Sequence, residues 1–293
     1  MKSSLREKIN LRTAFQILIF VVGLLIFIYP MISRYYYRVE STKVVEDFSV
    51  GKKALSDETI NKRIALANAY NASLSGMHDF KDPYVNNIEE GIKNYAHMLE
   101  VREKIGVVRI PKIDVNLPIF AGTGEDVLQN GVGHMEYTSL PVGGESTHSI
   151  LTAHRGLPNA KLFSDLNLIE EGDLFYVENL KETLAYEVDQ IKVIEPSVFD
   201  DLLIVPNEDL CTLLTCTPYM INSHRLLVRG HRVPYNEEDL NKELQKAKLI
   251  KVIKFIIIAF GIIIVLILFM ILLKRIRRKS KRRKLWKRKK YFS

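Results

Sequence analysis

The run Leu210-Cys211-Thr212-Leu213-Leu214-Thr215-Cys216, followed at once by Thr217-Pro218, decides the fold. Its uncharged, β-favouring residues read as a buried strand, and the proline stops it, so Cys216 falls where strand gives way to loop. Arg225 opens a second apolar run, Leu226 to Val233, after an eight-residue connection from Thr217 to His224. A connection of that length lets the two strands pair antiparallel, which predicts Cys216 and Arg225 near each other at the loop end of a hairpin. Upstream, the apolar run Ser149 to Ala153 ends at His154 and enters Arg155-Gly156-Leu157-Pro158, a loop signal. All three side chains are therefore predicted at one rim.

Working outward, the same pattern of short β-rich runs between Gly, Pro and Asn recurs at Val107–Ile110, Leu117–Phe120, Leu174–Val177 and Leu184–Ile194. About seven strands in some 130 residues predict a β-barrel or a sandwich. A helical turn or two is expected around Asn159 to Leu168. Before Gly106 the spacing is helical, with Ile60, Ile64 and Ala67 in one stretch and Ile88, Ile92, Tyr95 and Leu99 in another. Ser75 to Asn87, containing Gly76 and Asp82-Pro83-Tyr84, separates them, so the region reads as a helical hairpin with a loop at its tip.

Both ends of the chain are apolar. Thr13 to Ser33 is a run of 21 uncharged residues and Phe255 to Leu273 a run of 19, each long enough to cross a hydrocarbon layer of roughly 30 Å as a helix. No small-x-small cleavage site follows the first run, and Arg34 with Tyr35-Tyr36-Tyr37 reads as an interfacial anchor, so it is expected to be retained. The net charge of +8 divides into +13 for residues 274–293, +3 for residues 1–12 and −8 for everything between. Net positive charge confined to the two ends argues against nucleic-acid binding and for two cytoplasmic flanks, with an acidic domain facing out. Basic ends of this kind also attract anionic lipid.

The chain has two cysteines, Cys211 and Cys216. Five residues apart on one strand, they point to opposite faces and cannot bridge. Cys211 reads as a small buried hydrophobe. An unpaired thiol outside the cytoplasm calls for a reason, and catalysis supplies one. A thiol, an imidazole and a guanidinium together suit acyl transfer through a thioester. The thiol attacks an amide carbonyl, the imidazole moves protons in both directions, and the guanidinium steadies charge on the carbonyl oxygen. His224 and His231 flank Arg225 and compete with His154 for the acid–base role. Without an H-x-x-x-H or C-x-x-C pair, neither a metal nor any other cofactor is expected.

Three blocks, TAHRGLPNAKLFSD (152–165), TLLTC (212–216) and NSHRLLVRGHR (222–232), resemble those the sortase family carries around its His, Cys and Arg. IPKIDVNLPIF from Ile110 and GHMEYTSLPVGG from Gly133 are also similar, and the likeness extends over roughly 106–233. The resemblance is to the class C, pilus-assembling sortases. It implies an eight-stranded β-barrel with an N-terminal helical extension, flanked by two transmembrane helices. It also implies a membrane-anchored cysteine transpeptidase that cleaves a Leu-Pro-x-Thr-Gly-like (LPXTG-like) sorting signal between Thr and Gly, with Cys216 as nucleophile, His154 as general acid–base and Arg225 as stabiliser of the carbonyl oxygen. In this class a pilin lysine amine resolves the thioester; in other sortases the acceptor is a peptidoglycan precursor and the products are wall-anchored surface proteins. Asp82, Pro83 and Tyr84 resemble the class C lid motif, Asp-Pro-aromatic, in which Asp82 would pair with Arg225 and Tyr84 would cover Cys216. From another class, the alternative is a membrane-anchored binding module that does no chemistry.

The expected organisation is a basic cytoplasmic N-terminus (1–12), a transmembrane helix (13–33), a helical extension with the lid (34–104) and the catalytic barrel (105–235). A linker (236–254), a second transmembrane helix (255–273) and a basic cytoplasmic tail (274–293) follow.

Overall fold

The computed structural model describes residues 11–74 and 96–291. Residues 30–247 form one compact unit, and the helical segments before and after it, joined by stacked Phe20 and Phe269 rings, form another.

The sheet is a closed barrel in the order β1-β2-β3-β4-β7-β8-β6-β5. Its strands are β1 (Lys104–Ile110), β2 (Val115–Ala121), β3 (Val132–His134), β4 (Thr147–Thr152), β5 (Leu174–Glu178), β6 (Thr183–Ile194), β7 (Asp209–Thr217) and β8 (His224–Val233). Closure leaves no unpaired sheet edge. Two of the pairings are parallel, β2 with β3 and β4 with β7. The second matters most, because it brings the C-terminal ends of β4 and β7 to the same rim, where β8 begins.

Side-chain alternation explains why these residues close a barrel. On β7, Cys211 and Leu213 join the interior cluster with Val107, Ile119, Phe175, Tyr186 and Val228. Leu214 faces the other way, into a second cluster with Met135, Ile150, Leu227 and Leu202. Leu202 belongs to the β6–β7 connection, so that connection covers an apolar outer face on which Leu214 and Cys216 share a parity.

Two helices precede the barrel, α1 (Leu11–Lys53) and α2 (Asp57–Ser73). Ser56 caps α2 by accepting a hydrogen bond from the Thr59 amide, and Asp57 and Glu58 complement the positive helix end. Val45 and Phe48 of α1 and Ala67 of α2 enter the interior cluster. Full burial of a side chain such as Phe48 contributes about 2 to 3 kcal/mol. Asn71 of α2 then pairs with Leu140 as a strand residue would: its amide nitrogen donates to the Leu140 carbonyl at 3.1 Å and its oxygen accepts from the Leu140 N–H at 2.7 Å. The second helical stretch, at Ile88, Ile92 and Tyr95, and the lid residues Asp82, Pro83 and Tyr84 lie outside the described residues.

The expected linker and the second apolar segment lie on one helix, α4, which runs from Glu237 to Tyr291. Its first turns pack Leu240 and Leu244 against Tyr176, Ala185 and Val233. A four-residue helix, α3 (Glu125–Leu128), precedes β3 and was not anticipated. Around Asn159 to Leu168 only a 3-10 turn forms, at Leu166–Leu168.

Candidate active site

Cys216 is the penultimate residue of β7, and the antiparallel register sets it directly opposite Arg225 on β8. Residues facing each other in this way share a face, with Cβ atoms about 5 Å apart. Each is 5% exposed. The Arg225 guanidinium is fixed by main-chain acceptors at the hairpin end: one nitrogen, Nη1, donates to the carbonyls of Asn222 and His224, both at 3.1 Å. The side chain that bears charge is thus held by backbone that the β7–β8 turn has already shaped.

His154 enters through the parallel β4–β7 ladder. Thr152 pairs with Leu214, and the Ala153 amide donates to the Leu214 carbonyl at 3.2 Å. His154 comes two residues after Thr152, the last β4 residue of that ladder, and Cys216 two residues after its partner Leu214. The hydroxyl of Thr215, between Leu214 and Cys216, donates to the Ala153 carbonyl at 2.7 Å and locks the alignment. His154 Nε2 lies 3.3 Å from each carboxylate oxygen of Glu125 on α3. A carboxylate only accepts, so Nε2 carries the hydrogen in this contact. Nothing in the sequence links Glu125 to a histidine 29 residues on; the β2–α3–β3 path makes the connection.

The competing histidines are placed differently. His231 pairs with Leu210 at the far end of β8, six residues from Arg225 and roughly 20 Å along the strand. His224 adjoins Arg225 but falls on the opposite side of the ribbon, next to Ser223 Oγ at 2.8 Å from Nδ1.

Two more histidines are interior struts. His148 contacts the Leu203 carbonyl through Nδ1 at 2.9 Å and Thr212 Oγ1 through Nε2 at 2.7 Å. His134 Nε2 contacts the Ser139 carbonyl at 2.8 Å. Desolvation lowers both to a pKa of about 4. Cys211 is wholly buried in the interior cluster, and burial, with Asp209 nearby, pushes its thiol well above the ordinary range. A thiol so placed is a packing element, not a nucleophile. Neither cysteine is in a disulfide. Among the described residues no cluster of three His, Cys, Asp or Glu side chains could hold a metal.

The arrangement brings a thiol, an imidazole and a fixed guanidinium to one rim, beneath a wall formed by the β6–β7 connection. Groups so disposed can perform acyl transfer: nucleophile, proton carrier and oxyanion partner lie on adjacent strands.

Comparison with known proteins agrees with that geometry. A family model described as the Sortase domain matches residues 108–233. Sortase A of Streptococcus agalactiae is 30% identical over 125 residues, which cover 42% of this chain and 49% of that protein. The chain thus spans about half the length of that curated relative. Among solved structures, Sortase C1 of the group B Streptococcus Pilus Island 1 is 55% identical with a TM-score of 0.64, over 67% of this chain and 94% of that one. Sortase C-1 of Streptococcus pneumoniae is 56% identical with a TM-score of 0.61, over 66% and 100%. With a closed eight-stranded barrel and solved relatives at this identity and coverage, the chain belongs to the sortase family, and the solved structures named above that it resembles are streptococcal C1 sortases.

Proposed function

We propose that this chain polymerises pilins, cleaving an LPXTG-like sorting signal between Thr and Gly and passing the acyl group to a lysine amine of another pilin. The observation that carries the reading is the Cys216–Arg225 register pair, with His154 just beyond the end of the β4 strand that pairs with β7. Sulfur of Cys216 attacks the Thr carbonyl carbon, and charge on the carbonyl oxygen is met by the Arg225 guanidinium. The Thr–Gly C–N bond then breaks, with His154 giving a proton to the departing amine. In the second half the lysine amine attacks the thioester, His154 takes its proton, and Cys216 leaves with its electron pair. The product is an isopeptide bond, and the enzyme returns to its starting state. Similarity to pilus sortases supports a lysine acceptor over a peptidoglycan precursor.

The two long apolar helices, Ala14–Lys53 and Glu237–Leu272, meet the length and composition needed to cross a membrane. The basic ends favour a topology with both termini in the cytoplasm and the acidic barrel outside, where the secreted substrates are. On this reading Asp82-Pro83-Tyr84 is the lid of the same site, a role supported by the sequence resemblance alone.

Mass spectrometry of the full-length chain in detergent with a Leu-Pro-x-Thr-Gly peptide tests the reading. The expected result is a hydroxylamine-sensitive adduct on wild type, absent from Cys216→Ala, that is discharged by a pilin lysine peptide to an amide. Discharge only to the free acid in the presence of amine identifies a hydrolase instead. Absence of any adduct across a panel of signal peptides leaves a binding module.

A further inference from the structure

Cys216 lies inside the β7–β8 ladder, whereas the β4–β7 ladder stops at Thr152, two residues short of His154. The final β4–β7 contacts are the Ala153 amide to the Leu214 carbonyl and the Thr215 hydroxyl to the Ala153 carbonyl. Beyond them the chain turns into the long β4–β5 connection, whose own brace is the Phe163 amide donating to the His154 carbonyl at 3.2 Å. The next tie across the rim joins the immediate neighbours of the two reacting residues. Arg155, which follows His154, donates from Nη1 to Oγ1 of Thr217, which follows Cys216, at 2.8 Å.

The rest of the Arg155 side chain is anchored in the loop that carries His154. Nε donates to the Ser164 carbonyl at 3.2 Å and Nη2 to Asn167 Oδ1 at 2.8 Å. Three donors of one planar group thus reach three acceptors, two on the β4–β5 connection and one on β7. Lysine, a point charge without a fork, cannot reproduce that geometry. A second contact fastens the same two connections from the other side. Gly156 has φ +100°, and a Cβ there would lie 3.2 Å from Met220 Sδ and 3.5 Å from the Tyr219 ring, so the β7–β8 turn rests against the glycine backbone. Both residues that follow His154 thus meet the Thr217 end of β7 or the turn beyond it.

We propose that Arg155 and Thr217 form a positioning pair that sets the distance between His154 and Cys216, with Arg155 spent on the clasp and not on substrate. The inference rests on the transpeptidase reading above. Displacement of an acid–base group by about 1 Å costs on the order of 100-fold in rate while leaving substrate contacts in place. The clasp therefore governs kcat, not KM.

The test uses the full-length chain in detergent, a Leu-Pro-x-Thr-Gly peptide and a saturating amine, with Arg155→Gln, Arg155→Lys, Thr217→Val, Thr217→Ser and the double variant Arg155→Gln/Thr217→Val. Thr217→Val is nearly isosteric and removes only the acceptor. Expected are falls in kcat of about 10- to 100-fold for Thr217→Val and Arg155→Gln, KM for the peptide within about two-fold, and an unchanged melting temperature. Thr217→Ser, which keeps the hydroxyl, recovers most of what Thr217→Val loses; Arg155→Lys does not recover what Arg155→Gln loses. The double variant is no slower than the worse single, because both changes break one bond. Additive losses, a Thr217→Ser variant as slow as Thr217→Val, or a rise in KM alone each overturn the pair, the last by assigning Arg155 to substrate binding. Wild type turning over with all variants equal to it sinks the clasp and spares the function. A wild type that forms no adduct sinks both.

Discussion

His148 joins β4, the strand that leads to His154, to the connection that walls the site: its Nδ1 lies 2.9 Å from the Leu203 carbonyl and its Nε2 2.7 Å from Thr212 Oγ1 on β7. A carbonyl only accepts, so Nδ1 carries the hydrogen, and in the neutral ring that burial favours Nε2 accepts from the threonine hydroxyl. Desolvation by burial holds its pKa at about 4, below the ordinary 6.5. In the window between those values the unfolded chain binds the proton and the folded chain does not. Stability from this group is complete above about 6.5 and is lost as pH falls towards about 4, at up to about 1.4 kcal/mol per pH unit. Glu136 and Asp209, whose carboxyls burial pushes up, titrate in the opposite sense. The histidine is therefore read by difference. The gap in melting temperature between wild type and His148→Gln should shift against wild type on acidification through that window. Parallel curves would show that His148 does not titrate this way.

Gly230 faces the barrel interior opposite Cys211, where a Cβ would lie 2.7 Å from Phe175 Cε1 and 3.0 Å from Tyr186 Cβ. Those two rings are stacked with centroids 5.4 Å apart and fill the core beneath β8. Neither can retreat without disturbing the packing on its other side. Gly230→Ala is expected to cost about 1 to 3 kcal/mol through overpacking, read as a lower denaturant midpoint at unchanged slope. A midpoint within error of wild type would mean the stacked pair has room to move.

Sequence periodicity located the long strands because each places alternate residues into an apolar cluster. Cys211 and Leu213 enter the interior while Leu214 faces outward, and β7 was legible from that pattern and from Pro218. β3, three residues at Val132–His134 with Gly131 before it and Gly133 at its centre, is too short to show a period of two. α3 is a single turn and shows no helical period either. The hairpin register of Cys216 with Arg225 was readable from loop length, since an antiparallel connection is local. Parallel β4–β7 pairing joins residues more than 60 apart and was foreseeable only as strands ending together. The helix Glu237–Tyr291 looked divided because its charged beginning and apolar middle differ in composition, although neither part contains a proline.

Arg225 is expected to act through charge and geometry together. Its guanidinium is held by the Asn222 and His224 carbonyls, an anchorage a lysine cannot share while still facing Cys216. Both Arg225→Ala and Arg225→Lys should slow acyl-enzyme formation by about 100- to 1,000-fold, the range found when one oxyanion donor is removed. Rapid-quench mass spectrometry of the Cys216 adduct measures it. Near-complete rescue by lysine would reduce the role of Arg225 to a diffuse positive charge.

If Asp82-Pro83-Tyr84 shields the thiol, Asp82→Ala and Tyr84→Ala should each make Cys216 react faster with a small thiol reagent. Cys211, buried in the core, supplies the internal reference. Equal labelling rates in wild type and both variants would remove the lid from the mechanism.

Glu125 meets His154 Nε2 with both oxygens at 3.3 Å, yet its side chain is 65% exposed. An ion pair so open to water is worth at most about 1 kcal/mol and is screened by salt. Glu125→Gln should therefore leave the melting temperature unchanged and lower kcat by no more than about five-fold at low ionic strength, which is the rate equivalent of about 1 kcal/mol. Raising the salt should bring wild type down towards the variant, because screening removes from one what mutation removed from the other. Steady-state rates at about 0.02 M and 0.5 M salt, on either side of the concentration at which screening reaches about 10 Å, make the comparison. A loss approaching that of His154→Ala, insensitive to salt, would show Glu125 holding the ring by geometry, in the manner ascribed above to Arg155 and Thr217.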